Sequence, residues 1–213
     1  RLGVCELKPG AEALEKIRRT IDWSKPTARQ DVESLMRQVA LDYVTRYLEG
    51  GNQALAVYRD GGRPTFVANE FRSMIENMPH LSAFDSELRA FLLEFPSASL
   101  PASNSFLYWQ DAQFGLKPTI RINHLVIHED EDAIVVANKQ LYASHYFWTA
   151  LELRVLLPDR ARGPGFWFAT LSRSRSDGLS GFMGRVIRGR VRSEARQGIE
   201  KTLLATKNIL EGR

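Results

Sequence analysis

The spacing of apolar residues changes from helical to strand-like near the middle of the chain. Before residue 96, apolar side chains recur every three or four positions, which predicts helices over residues 14–21, 32–47, 71–78 and 88–95. Residues 54–67 fit a weak hairpin around an Asp-Gly-Gly turn. From Ser105 the period is two, which predicts strands over 105–112, 118–128, 132–139, 140–157 and 165–173. The short connections between them favour antiparallel neighbours.

The helix over residues 32–47 has the clearest end signals. Thr27 and Gln30 have the spacing of a capping box at its start. Gly50 and Gly51 predict its end, because glycine adopts the left-handed cap conformation without a steric penalty.

The two longest predicted strands each have one apolar face. In the first, Ile120, Ile122 and Val126 share a face with His124 and His128. In the second, predicted as one bent or bulged strand, the odd positions are nearly all apolar. Such alternation indicates a sheet that has one side against a core.

Residues 178–211 contain no proline and look helical, but their apolar residues fall on two sides of an ideal helix. One straight helix cannot bury both sides against one sheet. The pattern therefore predicts a kink or break near Gly189, where glycine weakens a helix. The break would separate a basic amphipathic part (178–188) from a docked helix (about 190–211).

Composition adds an uneven charge distribution. Residues 158–213 hold 12 Lys and Arg against 5 Asp and Glu. This basic end fits either an anionic membrane surface as a partner or an ordinary solvated helix face. Nucleic acid is not the expected partner, because no recognised binding motif accompanies the charge. The single cysteine allows no internal disulfide, and the start at Arg1 suggests a processed or trimmed form, so the compartment stays open between cytoplasm and periplasm.

The order of elements resembles the helix-grip fold of the START-like lipid-binding superfamily. A hairpin, two short helices, an antiparallel meander and a long terminal helix follow one another over residues 54–211. The resemblance implies an α+β fold in which a curved sheet wraps around the C-terminal helix and encloses an apolar cavity. A single domain is expected, with a helical extension (1–52) before the helix-grip-like part (53–213).

The resemblance also implies a non-enzymatic protein that binds or transports a lipid or another hydrophobic small molecule. The residues expected to face the ligand are His124, His145, Phe147, Leu151, Leu153, Ile122 and Trp167. Those expected to contact membrane during loading are Phe182, Met183, Arg185, Val186 and Arg188. No cofactor is expected, and the oligomeric state stays open.

Two alternatives remain. An enzyme on the same scaffold, such as a cyclase or hydratase, would use His124 or His145 as its general base. A partner-binding domain would have aromatic packing in place of a cavity. No nucleophile elbow, phosphate-binding loop or dinucleotide fingerprint occurs. A metal site is not expected, because His124 and His128 lie four residues apart in a strand, about 13 Å, and cannot share one ion.

Overall fold

The computed structural model describes residues 11–59, 63–112, 119–144, 147–161, 163, 165–176 and 181–212, with the backbone alone at 11, 12 and 181–195. The prediction for His145 lies outside these residues. Within the chain, residues 1–175 and 176–213 form two compact units. The single domain expected from sequence stays a prediction.

The first unit begins with helices and a small hairpin. Its α-helices are α1 (Ala11–Thr20), α2 (Ala28–Gly50), α3 (Val67–Glu76), α4 (Pro79–Phe84) and α5 (Ser86–Glu94). A short 3-10 helix (Gly51–Ala54) follows α2 and leads into the predicted hairpin, an antiparallel pair of β1 (Val57–Tyr58) and β2 (Thr65–Phe66).

The ends of α2 agree only in part with the sequence patterns. Gly51 ends the helix, as predicted, but its φ of 57° and ψ of −138° are not the left-handed cap conformation. The capping box is wrong, because the Thr27 side chain makes no cap bond and its Oγ1 instead donates to Asp31 Oδ2 at 3.0 Å. Helix α4 was not predicted. It starts at Pro79, where the missing N–H of proline leaves no helical bond unmade.

Five strands form an antiparallel meander in chain order, with β5 in the middle. They are β3 (Ser103–Ala112), β4 (Thr119–Glu129), β5 (Ile134–Ala143), β6 (Phe147–Pro158) and β7 (Phe166–Ser176). The single strand predicted over 140–157 is therefore wrong. Residues 140–143 of that prediction complete β5. The sequence predicted one strand because odd-numbered positions stay mostly apolar from the end of β5 into β6.

The register between β4 and β5 shifts once. Ile122 lies opposite Tyr142, whereas the next residue, Asn123, lies opposite Gln140, so Leu141 is an extra residue. The backbone around this bulge is held by a tyrosine of α2, because Tyr43 OH donates to Leu141 O at 2.8 Å. The first long helix is thereby tied to the central strand.

The main core lies between one face of the sheet and helices α3 and α5. Val126, Ala137 and Leu153 stand side by side on β4, β5 and β6 and share one cluster with Phe71 of α3 and Leu92 of α5. We call this side the helix-covered face. The alternate residues of the same strands form the opposite face.

The second unit consists of α6 (Gly181–Leu210). The helix continues through Gly189, so a break there is wrong, whereas a kink stays a prediction. A glycine inside a helix costs about 1 kcal/mol relative to alanine, and a 30-residue helix with good helix formers on both sides tolerates this. The docking predicted for residues 190–211 stays a prediction.

Together these elements confirm the predicted α+β fold class: N-terminal helices, an antiparallel meander and a long C-terminal helix. The wrapping of the sheet around that helix stays a prediction. In the described part of the chain, no helix combines the length and the apolar composition that a bilayer crossing requires.

The start of α5 provides a test of the helix assignment. Asp85 Oδ1 accepts the Leu88 N–H at 2.7 Å. Asp85→Ala should lower the free energy of unfolding by about 1 kcal/mol, because this N–H loses its acceptor. Asp85→Asn keeps an acceptor oxygen and should cost much less. Urea denaturation measures both, and equal losses would contradict the role assigned to the cap bond.

Candidate functional site

A buried lysine lies on the helix-covered face of the central strand. Lys139 is 2% exposed, and its Nζ donates to Tyr47 OH at 3.2 Å and to Asn52 Oδ1. The ammonium also lies 4.3 Å from the centre of the Phe71 ring. No carboxylate pairs with it among the described residues, and it is stabilised by these hydrogen bonds, by the Phe71 ring and by the Tyr47 ring, whose centre is 5.0 Å away.

The hydrogen bonds of Lys139 continue to a histidine on the neighbouring strand. Tyr47 OH lies 3.0 Å from His124 Nδ1. A charged lysine can only donate, so in that state the tyrosine oxygen accepts from Lys139 and donates its own proton to His124. This direction requires a neutral histidine that carries its proton on Nε2.

Burial governs the ionisation of this network. It lowers the pKa of Lys139 to about 7, and it lowers the pKa of His124 to about 4, with the nearby Lys139 charge as a second cause. It raises the pKa of Tyr47 above its usual value. His124 is therefore neutral at pH 7, in agreement with the hydrogen-bond direction.

The network fastens helices to the sheet. Asn52 follows α2, and its Nδ2 donates to the carbonyl oxygens of Leu92 and Leu93 in α5 at 3.0 and 2.7 Å. Its Oδ1 accepts from Lys139. One side chain thus joins the end of α2, the end of α5 and the central strand. Tyr47 and Asn52, which belong to the segment predicted to be an extension (1–52), therefore take part directly in this core.

A second set of polar side chains lies on the opposite face of the same strands. Asn123 of β4 stands beside Gln140 of β5, and Asn138 lies two residues from Gln140 on the same face. All three are buried, with exposures of 0%, 0% and 7%. We call Asn123, Asn138 and Gln140 the amide cluster.

Several atoms of the amide cluster have no hydrogen-bond partner in the part of the chain that the structure describes. They are both side-chain polar atoms of Asn123, Asn138 Oδ1 and Gln140 Nε2. Leaving a buried polar atom unpaired costs about 1–3 kcal/mol. Most such atoms in folded proteins are paired with protein or ordered water, so the amide cluster is a candidate place for ordered water or for a polar group of a ligand.

An ion pair borders the amide cluster. Arg121 Nε donates to Gln140 Oε1 at 2.7 Å, which identifies the unpaired Gln140 atom as the amide nitrogen. Arg121 Nη2 lies 3.4 Å from Glu152 Oε1, with the arginine side chain 6% and the glutamate 27% exposed. The buried positive charge is thus compensated within the sheet.

A cleft of about 520 Å³ opens where β4 ends beside α5. Its wall includes His128, whose Nδ1 donates to Pro101 O at 3.0 Å and whose Nε2 lies 3.8 Å from Asp85 Oδ2. Its rim carries the carboxylates of Glu87, Glu129, Asp130 and Glu131. An acidic rim repels an anionic lipid head group, so this cleft does not fit such a ligand.

The residues predicted to bind ligand are divided between different environments. Ile122, His124, Leu151 and Leu153 are all buried on the helix-covered face. Phe147 is partly buried, and Trp167 is 55% exposed. The membrane-contact residues of α6 lie where side chains are not described. Their roles stay predictions.

The amide cluster and Lys139 were not predicted from the sequence. A signal was present, since Asn138, Lys139 and Gln140 are three consecutive polar residues within an otherwise apolar strand. No group of His, Cys, Asp and Glu in the described residues is arranged to hold a metal ion. Comparisons with protein families, curated proteins and solved structures find no match to this chain.

The lowered pKa of Lys139 predicts that stability rises with pH. Between about pH 7 and about pH 9.5 the unfolded chain keeps the lysine proton that the folded chain has lost, so the free energy of unfolding increases by up to a few kcal/mol. His124 titrates below this window. Lys139→Met removes the titration. Urea denaturation across the window should show wild type gaining stability relative to the variant, and a constant difference would contradict a neutral folded-state lysine.

Proposed function

We propose that the protein binds and carries a lipid or another hydrophobic small molecule with a polar group, without catalysing a reaction. The observation that carries the proposal is the fully buried Asn123 side chain, whose two polar atoms lack partners. A bound molecule that pairs with them removes the penalty of their burial.

The surroundings of the amide cluster support an amphipathic ligand. Across the sheet, Tyr108 and Ala150 flank the row that contains Asn123 and Gln140. Leu125 stands beside Asn138 in the next row. Polar groups set among apolar side chains suit a molecule that is mainly hydrophobic and has one polar end.

The proposal puts the ligand on the opposite face of the sheet. On the helix-covered face, Leu151 and Leu153 already pack against α3 and α5. The START-like resemblance agrees with a ligand on a sheet face. It adds an expectation of membrane contact through Phe182, Met183, Val186, Arg185 and Arg188.

Helix α6 is consistent with that contact. Between Gly181 and Leu210 it holds seven Lys and Arg and two Asp and Glu. A long basic helix is attracted to anionic lipid head groups by about 1 kcal/mol for each cation near the surface. Its regular backbone lets apolar residues three and four positions apart share one side.

The enzyme alternative gains little from the geometry. His124 is 2% exposed, is neutral, and has its Nδ1 engaged by Tyr47. Its ring lies 4.9 Å from that of Phe95, which helps to enclose it. A general base must reach the proton of a substrate. Of the two histidines named for the enzyme alternative, His145 is therefore the remaining candidate for the general base.

Native mass spectrometry of the purified protein tests the carrier proposal. We expect a co-purified hydrophobic molecule that appears on solvent extraction. Asn123→Leu should reduce its amount at least about tenfold, because each lost pair of buried hydrogen bonds weakens binding by more than about 1.4 kcal/mol. Asn104→Leu, a change at an exposed asparagine of β3, should retain the molecule. Wild type that carries nothing would contradict the proposal.

Flotation with liposomes that contain anionic phospholipid tests the membrane contact. Arg185→Glu combined with Arg188→Glu should abolish binding, because two attractive charges become repulsive. The matched control is Arg29→Glu combined with Arg37→Glu, the same charge change at exposed positions of α2. Binding that survives the α6 changes, or falls equally in the control, would remove the assigned contact.

A further inference from the structure

We infer that the amide cluster recognises an uncharged head group that both donates and accepts hydrogen bonds, such as a primary amide or a hydroxyl beside an ester. This inference rests on the proposed function and narrows its ligand class. Two observations support it: the unpaired atoms of the cluster include both donors and acceptors, and the neighbouring charge of Arg121 is compensated by Glu152.

The unpaired atoms include both donors and acceptors. Gln140 Nε2 is a donor whose identity is fixed, because the other side-chain atom accepts from Arg121. Asn123 offers one donor and one acceptor whichever way its amide is oriented. Asn138 Oδ1 adds a second acceptor. A ligand group that satisfies this set must itself accept and donate.

The three side chains are close enough to bind one small group. Residues directly opposite each other on antiparallel strands have Cβ atoms about 4.5–5.5 Å apart, as for Asn123 and Gln140. Residues two apart on one strand are about 7 Å apart, as for Gln140 and Asn138. An amide or a glycerol hydroxyl with its ester carbonyl spans these separations.

Charged head groups fit the cluster poorly. A phosphate or carboxylate would leave the unpaired oxygens of Asn123 and Asn138 facing a negative charge. The nearest buried cation, Arg121, is already paired with Glu152 at 3.4 Å, and an added anion would approach that carboxylate as well. An ammonium group would face the unpaired nitrogens of Asn123 and Gln140 with the same disadvantage.

Competition between two probes with the same 18-carbon chain tests the inference. The full-length protein is incubated with equal concentrations of oleamide and oleate near neutral pH and separated from free probe by gel filtration. Retained probe is then extracted and quantified by mass spectrometry. We expect oleamide to exceed oleate by at least about tenfold, the ratio that corresponds to about 1.4 kcal/mol.

Variants connect the preference to the cluster. Asn123→Leu should reduce the oleamide-to-oleate ratio at least about fivefold, and Asn138→Leu provides a second test if the first variant does not fold. Asn104→Leu should keep the wild-type ratio. Circular dichroism melting curves identify variants that are folded.

The outcomes separate the two proposals. Retention of oleate equal to or above that of oleamide would overturn the inference while leaving hydrophobic-ligand binding in place. An oleamide preference unchanged in folded Asn123→Leu and Asn138→Leu would also overturn it. Retention of neither probe by wild type would overturn the inference, and the co-purified molecule found or not found by native mass spectrometry would then decide the proposed function separately.

Discussion

Three consecutive polar side chains in the central strand impose the main constraint on this structure. Asn138, Lys139 and Gln140 lie in β5, which has strands on both sides. Because alternate residues of a strand point to opposite faces, both sides of the sheet need polar partners. On one side the partners come from the protein itself. On the other side they are incomplete.

The hydrogen bonds of Lys139 on the helix-covered face explain the position of the N-terminal helices. Lys139 needs acceptors in an apolar interior, and Tyr47 and Asn52 at the end of α2 provide them. The same asparagine bonds the end of α5. Removing α2 would leave a buried ammonium group without partners, which is more destabilising than the loss of the apolar contacts alone. The helix is therefore part of the fold rather than an addition to it.

The elements of the fold could be predicted from the sequence better than the site could. Apolar spacing identified α2, α5 and the strands, because helix and strand periods differ clearly over ten residues. It misplaced the boundary after Ala143, since alternation continues across a turn without a change of phase. The site depends on which strands become neighbours. Asn123 and Gln140 are 17 positions apart, and no local pattern indicates that they will be buried together.

The roles of His124 and Lys139 also depend on residues that are distant in the sequence. His124 was correctly assigned to an apolar face, but its role depends on Tyr47, a helical residue far away in the sequence. Lys139 was hidden among alternating residues of β5, where a lysine ordinarily reaches solvent along its flexible stem. A buried lysine without a carboxylate partner is rare enough that only the assembled neighbours reveal it.

Lys139 is far along the chain from the residues that accept its hydrogen bonds, and this separation affects folding during synthesis. The acceptors Tyr47 and Asn52 precede the lysine by 92 and 87 residues. At synthesis rates of about 5–20 residues per second, α2 leaves the ribosome on the order of 5–20 s before its partner strand exists. During that interval its apolar side has no sheet to cover it and is open to chaperones and to other chains. The arrival of β5 therefore sets the earliest moment at which the first half of the protein can complete its core.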